Sequence, residues 1–264
     1  MGNVRDRRER VNVYQFLLGS RGEWGYIRPV IEELQKRGRT YEICATNMAV
    51  LPEYGNIAKK IRDEGYVVTD MPLMALAGDS RFAMAKSLGV LIQSFVDVLA
   101  RNKPKWLVLA GDRGEQLAGA IAGSYTYVPT AHIQAGELSG NIDGVARHAI
   151  ARFAHVHFAS NRDASSRLHR FGEQEERIFE VGAPQLDDIA NKRYSSREEL
   201  ALLPDLKPLG IHVKRFCGVS LPSNYCHLVE ALLFPQSRYS HCVTTTIFNP
   251  QRLALLLGAW LFRP

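Results

Sequence analysis

Short apolar segments alternate with longer amphipathic segments from Val11 to Val181, and this alternation constrains the fold more than any other feature. The apolar segments have strand length, and residues 106–110 (WLVLA) are apolar throughout, as is typical of a strand buried on both faces of a parallel sheet. The amphipathic segments repeat apolar residues every three or four positions, which indicates helices. Such alternation predicts an α/β fold, a doubly wound, Rossmann-like parallel sheet with helices on both faces.

The predicted elements follow one another along most of the chain. We predict strands at residues 11–18, 41–46, 66–69, 106–110, 130–134, 155–159 and 177–181. We predict helices at residues 26–36, 57–62, 81–101, from Arg113 through Ile121, 143–153 and 163–170. Gly38 is expected to end the first of these helices.

The alternation stops near Pro208. Beyond it the chain has one acidic residue, Glu230, three of its four cysteines, and an apolar end at 253–262. Two explanations stay open: a small irregular subdomain, or a sequence that was not selected to complete this fold, after a frameshift or truncation.

The predicted organisation therefore has three parts. Residues 1–10 form a basic tail, and residues 11–208 form a Rossmann-like domain with the start of an inter-domain region. Residues 209–264 form an aberrant tail that is not expected to be a native domain.

Composition narrows the function classes. The 264 residues are 46% hydrophobic and 23% charged, which is typical of a globular protein and not of a disordered one. The excess of 33 Lys and Arg over 27 Asp and Glu is modest, and part of it lies in the tail, which favours a solvated segment over a nucleic-acid arm. No apolar run reaches the about 18 to 20 residues of a membrane span, and the chain begins with charged residues, so we expect a cytoplasmic protein with no membrane partner.

The loops that follow the predicted strands are the places to search for a ligand site, because ligands bind beyond the carboxyl ends of parallel strands. In the first, residues 19–25 (GSRGEWG), glycines and a helix N-terminus favour an anion, and Arg21 can clamp a phosphate. A plain tight turn remains the alternative. The loop is neither a dinucleotide fingerprint nor a Walker loop, which weakens the nicotinamide and P-loop interpretations.

A second and a third loop carry carboxylates. Asp112 follows the strand at 106–110, where it either caps the next helix or serves chemistry. Residues 132–143 (HIQAGELSGNID) contain Glu137 and Asp143, and Asp143 is expected to cap the following helix. One of Arg147 and His148 would then face the same pocket. Two carboxylates with a histidine and an arginine suit acid/base chemistry on an anionic substrate, whereas a capped helix with a surface ion pair is the alternative.

Three further features predict less. Residues 182–184 (GAP) are typical of a turn before a helix. His155 and His157 alternate on one strand and are expected to face the same side, but no third ligand stands near them in sequence, so we expect no metal site. The four cysteines form no C-x-x-C pair and are expected to be reduced thiols.

Taken together, these residues resemble a known family, the hydrolysing UDP-N-acetylglucosamine 2-epimerases of sialic-acid and nonulosonate biosynthesis. The resemblance covers about residues 11 to 208. It rests on Gly19-Ser20-Arg21 with Gly25, on Gly111-Asp112-Arg113, on the segment from His132 to Ile150, and on His155, His157 and Gly182.

The resemblance implies half of a two-domain fold of the GT-B glycosyltransferase type, with the second domain incomplete. It implies elimination of the nucleotide to a glycal and then addition of water, with no cofactor, in a homo-oligomer that binds a UDP-sugar. By resemblance, Asp112, Glu137 and Asp143 are the catalytic residues. Substrate-binding roles fall on six residues: Gly19, Ser20, Arg21, Arg113, Gln134 and His148.

The chain departs from the family at two places. Gln134 stands where well-known members have a glutamate, and an amide cannot titrate, so either Glu137 and Asp143 transfer the proton or the sugar differs. Residues 209–264 lack the phosphate loop and ribose-binding acid of the family's second domain. A GT-B glycosyltransferase and an inactive sugar-nucleotide-binding or dimerising fragment remain alternative functions.

Overall fold

A computed structural model describes residues 13–74 and 80–187. The basic tail at 1–10 and the aberrant tail at 209–264 lie outside the described residues. The domain boundary near Pro208 therefore remains a prediction.

The described residues form one sheet of seven strands, and every pair of neighbouring strands is parallel. The strands are β1 (Tyr14–Leu18), β2 (Tyr41–Ala45), β3 (Val68–Asp70), β4 (Trp106–Ala110), β5 (Thr130–Ile133), β6 (Val156–Ala159) and β7 (Ile178–Glu180). Their order across the sheet is β3-β2-β1-β4-β5-β6-β7. This architecture confirms the predicted α/β, Rossmann-like fold.

Six α-helices connect the strands. They are α1 (Arg21–Lys36), α2 (Ile57–Asp63), α3 (Arg81–Asn102), α4 (Gly114–Tyr125), α5 (Ile142–Phe153) and α6 (Arg162–Arg170). Predicted and observed bounds agree within a few residues except at α1, which begins five residues earlier than its apolar spacing indicated. The cause is local: Ser20 is the N-cap, and the Glu23 carboxylate accepts hydrogen bonds from the backbone N–H groups of Gly19 and Ser20. These bonds outweigh the low helix propensity of the glycines in the first turn.

Both faces of the sheet are buried. In β1, Phe16 packs in a core with α1 and α2, whereas Leu17 packs in a second core with α3 and α4. Helix α4 lies close to the sheet because Gly119 faces the side chains of Leu17 and Leu109. This two-sided burial explains why the strands are apolar at nearly every position.

Helix α3 is the one helix of the described residues that is long and apolar enough to cross a membrane by length and composition. Lys86 and Asp97 interrupt its apolar sequence. Its buried residues Phe95 and Leu99 pack in the second core, a placement that also explains an apolar helix.

The strand order reverses between β1 and β4, which lie side by side although two strands and three helices separate them in the chain. Loops leave the sheet in opposite directions at such a point and open a crevice at the carboxyl ends of the strands. The loops that carry the sequence-predicted site residues follow β1, β4 and β5, so the fold gathers them at this edge.

Candidate active site

Asp112, Arg147 and Glu137 form the centre of the site. One carboxylate oxygen of Asp112, Oδ2, accepts hydrogen bonds from Nη2 of Arg147 and, at 2.5 Å, from the hydroxyl of Ser139. Nη1 of Arg147 lies 3.8 Å from Oε2 of Glu137. The arginine is buried, whereas the two carboxylates are partly exposed. Residues from two consecutive βα loops thus meet at one guanidinium of helix α5.

The second carboxylate of this centre has its own partner. Ser160, directly after β6, donates a hydrogen bond from its hydroxyl to Oε1 of Glu137. Asn161 donates to the Ser160 hydroxyl oxygen at 3.1 Å, which leaves the hydroxyl proton for Glu137. The carboxylate is therefore held between Ser160 and Arg147.

The backbone of the loop after β5 adopts a left-handed conformation at two positions, with φ of 60° at Gln134 and 79° at Gly136. A Cβ at Gly136 would lie 2.4 Å from the carbonyl oxygen of Ala164, so only glycine fits there. The carbonyl of Gln134 accepts a hydrogen bond from Nη1 of Arg147 at 2.6 Å. The turn thereby fixes the arginine and presents Glu137 beside it.

A buried histidine supports the loop that bears Asp112. His132 on β5 places Nε2 at 2.7 Å from the carbonyl oxygen of Gly111. Burial lowers the pKa of His132 to about 3, so the ring is neutral and the protonated Nε2 donates to that carbonyl. Gly111 itself has a φ of 86°, which allows the chain to turn directly after β4. His132 is a positioning residue of this loop.

A second charged group lies beside the first, around Arg113. Its guanidinium lies 3.3 Å from Oε1 of Glu115 and 4.0 Å from Oε1 of Glu23. Both carboxylates are buried, and Asn47 donates a hydrogen bond to Glu115. Burial, followed by the charge of Glu115, raises the pKa of Glu23 to about 8. Burial alone would lower the pKa of Arg113, but Glu115 and Glu23 raise it, so this cation keeps its charge.

The structure brings together many of the residues that the sequence singled out. Asp112 and Glu137 share Arg147, and Gln134 adjoins it through its backbone carbonyl. Gly19 lies against Glu115, since a Cβ on Gly19 would stand 2.7 Å from Cγ of that side chain. Ser20 and the exposed Arg21 stand at the N-terminus of α1, where a helix favours an anion.

The sequence left a capping role open for Asp112 and predicted one for Asp143, and neither aspartate is an N-cap. Asp112 does not cap α4, whose N-cap is Arg113, because its carboxylate is engaged by Arg147 and Ser139. Asp143 does not cap α5 either. The N-cap is Asn141, whose side chain accepts from the N–H of Asp143 and donates to its Oδ2 at 2.9 Å. Asp143 keeps an electrostatic link to Arg113.

His148 lies apart from the carboxylates. Its ring stacks on Phe171 with 4.4 Å between centroids, and it lines a cavity of about 280 Å³ with Val145, Arg152 and Leu168. Helix α5 turns Arg147 toward the sheet and His148 away from it. Of the two neighbours that the sequence left open, Arg147 is the one that reaches the carboxylates, and a substrate-binding role for His148 stays a prediction.

His155 and His157 serve the fold. Nδ1 of His155 accepts a hydrogen bond from the N–H of Thr130, and His157 is fully buried with Nε2 3.2 Å from Oε2 of Glu173. Burial lowers the pKa of His157, although Glu173 opposes that shift. Among residues 13–74 and 80–187, no group of three metal-ligating side chains lies close enough to hold an ion.

Sequence reasoning missed Ser139, Ser160 and the Glu23–Glu115 pair as parts of the site. The sequence does indicate that Arg147 faces inward. It stands three positions before Ile150 and four before Ala151, and both are buried on the same face of α5. For Ser160 a signal also existed, because it directly follows a predicted strand, where ligand loops begin. The Glu23–Glu115 pair had none, since it depends on how α1 and α4 meet.

This arrangement can remove or deliver a proton and bind an anion. Asp112 and Glu137 are carboxylates with partly exposed side chains, and each is held by a hydroxyl and by Arg147. Arg113 and the N-terminus of α1 supply positive potential a short way along the same edge. An anionic substrate that undergoes proton transfer fits both requirements.

Comparison with known proteins gives consistent matches. Residues 32–214 match the family described as UDP-N-acetylglucosamine 2-epimerase. A UDP-N,N'-diacetylbacillosamine 2-epimerase (hydrolyzing) of Legionella pneumophila is 36% identical over 69% of this chain and 49% of its own length. A UDP-N-acetylglucosamine 2-epimerase of Neisseria meningitidis is 29% identical over 70% of this chain and 48% of its own. The chain spans about half the length of the curated relatives it matches.

Solved structures share the fold. The crystal structure of a Neisseria meningitidis UDP-GlcNAc 2-epimerase bound to UDP-GlcNAc aligns with a TM-score of 0.59 at 22% identity, over 67% of this chain and 48% of that one. A structure titled UDP-N-acetylglucosamine 2-epimerase aligns with a TM-score of 0.63 at 18% identity, over 76% of this chain and 55% of that one. At these identities the likeness establishes the fold.

Proposed function

Because the chain belongs to the UDP-N-acetylglucosamine 2-epimerase family, we propose that it acts as a hydrolysing 2-epimerase of a UDP-N-acetylamino sugar. The products are UDP and the free 2-epimeric sugar, of the N-acetylmannosamine type when the substrate is UDP-N-acetylglucosamine. The observation that carries the proposal is the pair of carboxylates, Asp112 and Glu137, held on Arg147 at the carboxyl edge of the sheet.

The proposed reaction has two steps. In the first, a carboxylate takes the C2 proton, the C1–O bond breaks, UDP leaves, and a C1–C2 double bond forms. In the second, water adds its oxygen to C1, and a proton returns to C2 on the opposite face. Asp112 and Glu137 are the proton-transfer residues, Arg147 holds them, and Asp143 acts electrostatically through Arg113.

The nucleotide end of the substrate is assigned to the second charged group. Arg21, Ser20 and Gly19 offer a helix N-terminus and a guanidinium to the diphosphate, and Arg113 adds a second cation. Gln134 is kept as a substrate-contacting residue. We also propose a cytoplasmic homo-oligomer that binds neither membrane nor nucleic acid, with a Rossmann-like domain at 11–208.

Two sugars are candidates. The Legionella relative acts, by its name, on UDP-N,N'-diacetylbacillosamine, and the Neisseria relative on UDP-N-acetylglucosamine. The higher identity of the Legionella relative and the word "hydrolyzing" in its name favour the diacetylated sugar. Both substrates belong in the test.

The test incubates the 264-residue chain with each UDP-sugar in D₂O and follows the products by proton NMR. We expect release of UDP together with a free sugar that carries deuterium at C2, because the returned proton comes from solvent. Asp112→Asn should abolish both signals, by at least about 100-fold, because an amide cannot take the proton.

Other outcomes contradict the proposal. Release of UDP without deuterium at C2 would indicate simple hydrolysis or a glycosyltransferase. Binding of the UDP-sugar without turnover would indicate an inactive sugar-nucleotide-binding protein.

A further inference from the structure

Tyr26 lies over the catalytic loop and has no role in the reaction as described above. It stands in the second turn of α1, and its ring covers Gly111, where an added Cβ would lie 3.5 Å from Cε2 of the tyrosine. Gly111 directly precedes Asp112. The ring therefore packs over the turn that carries this carboxylate.

Tyr26 lies within electrostatic reach of the charged centre of the site. The carboxylates of Glu137 and Asp112 and the guanidinium of Arg147 act on it electrostatically, as does Glu23. Burial, followed by the charge of Glu137, raises the pKa of Tyr26, so the phenol keeps its proton at neutral pH.

Packing accounts for the ring and not for the hydroxyl. The ring is partly buried against the core formed by α1 and the sheet. The hydroxyl has no hydrogen-bond partner within the described part of the chain, although a partly buried tyrosine hydroxyl ordinarily finds one. Phenylalanine would fill the same space, so packing alone does not explain the oxygen atom, which can donate to a bound ligand.

The other polar groups of the centre are already engaged. Arg147 contacts Asp112, Glu137 and the carbonyl of Gln134, and the hydroxyls of Ser139 and Ser160 point to carboxylates. A substrate oxygen that enters between two carboxylates meets repulsion unless a donor offsets it. Tyr26, whose ring lies over the turn that presents Asp112, is a neutral donor beside this centre.

We propose that the Tyr26 hydroxyl donates a hydrogen bond to an oxygen of the bound nucleotide sugar that gains negative charge as the C1–O bond breaks. The proton stays on the phenol, so no covalent step is added. The inference rests on the proposed function and adds a substrate-contacting residue to it.

Tyr26→Phe tests the proposal in the D₂O assay. We expect kcat to fall at least about tenfold with little change in KM, because a donor to developing charge acts more strongly in the transition state than in the ground state. Tyr125→Phe is the matched control, since Tyr125 is exposed on α4 and the same atom is removed. Parental kcat in Tyr26→Phe overturns the proposal.

A second measurement separates this inference from the proposed function. If the parent chain does not turn over either UDP-sugar, the proposed function fails, and Tyr26 is then judged by the ultraviolet absorbance of tyrosinate during a pH titration. Saturating UDP-N-acetylglucosamine should raise the pKa of one tyrosine, and this shift should vanish in Tyr26→Phe, because the donated hydrogen bond stabilises the phenol. Absence of that shift overturns the Tyr26 proposal.

Discussion

Arg147 and His148 are adjacent in sequence, yet helix α5 gives them different surroundings. The 100° step between helical neighbours turns Arg147 to the sheet and His148 to Phe171. The sequence indicated that one of the two faces the site but did not decide which. The buried spacing of Ile150 and Ala151 decides it, because a residue on their side of the helix is carried inward.

The side chain and the backbone of Gln134 have different partners. Its Nε2 donates to Oε1 of Gln185 at 2.9 Å, and its carbonyl holds Arg147. The contribution to the centre comes from the peptide group, in a turn that requires positive φ. The amide at this position is therefore compatible with a working site, since Glu137 supplies the carboxylate.

We predict that Gln134→Glu does not raise activity. A glutamate loses the hydrogen bond donated to Gln185 and adds a third negative charge near Asp112 and Glu137, so the turnover rate should stay equal or fall, by up to about tenfold. The measurement is UDP release at saturating substrate, with Glu53→Gln at an exposed site as the control. A tenfold increase would show that the amide impairs the site.

At the scale of elements, the strands were the most predictable part of the molecule. Strand β4 matches its predicted bounds of 106–110, because a short apolar run between polar residues has few structural alternatives to a buried strand. The start of α1 and the cap of α5 were not predictable in the same way. Both depend on side chains that bond to backbone N–H groups, at Glu23 and Asn141, and apolar periodicity carries no trace of such bonds.

The sequence predicted the carboxylates of the site more readily than the partners that hold them. Asp112 and Glu137 follow strands, and the parallel topology alone brings them to one edge. Their partners Arg147 and Ser160 left weaker signals, in the buried spacing of α5 and in the position directly after β6. The Glu23–Glu115 pair left none, because it is a product of packing between α1 and α4.

The turn after β5 gives a prediction at this scale. Gly136→Ala should lower the free energy of unfolding by about 3 kcal/mol, because the new Cβ meets the carbonyl oxygen of Ala164 and the residue must keep a positive φ. Gly140→Ala, in the same loop, has nothing within 4 Å of the new Cβ and should change stability by less than about 0.5 kcal/mol. Urea denaturation of the two variants and the parent checks the difference, and equal midpoints would contradict the close approach.

On the scale of the whole molecule, buried titratable groups act in opposite directions. Burial lowers the pKa values of four histidines, His132, His148, His155 and His157, so the unfolded chain binds more protons below about pH 6.5. Their contribution to stability is complete above that pH and is lost as the pH falls. Glu23, with its pKa raised to about 8, binds more protons when folded, so stability is lost as the pH rises from about 4.5 to about 8.

We therefore predict that the free energy of unfolding is highest near pH 6.5. Glu23→Gln should steepen the acid side of this profile and flatten the alkaline side, because Glu23 titrates across about pH 4.5 to about pH 8 and a single group changes stability by up to about 1.4 kcal/mol per pH unit. Glu53→Gln, exposed on the surface, should follow the parent profile. Urea midpoints from pH 5 to pH 9 make the comparison, and an alkaline slope that survives in Glu23→Gln would contradict the assignment to this residue.

The strand order also sets the sequence of events as the chain leaves the ribosome. Strands β1, β2 and β3 can pair as soon as they emerge, but β4 must wait for a partner that was made much earlier, because two strands and three helices separate Leu18 from Trp106. Pairing across that gap closes a long loop, whereas each later strand adds to its immediate predecessor. We therefore expect the β1–β4 pairing to be the slowest step of assembly, and Asp112 and Glu137, which follow it in the chain, to gather on an edge that already exists.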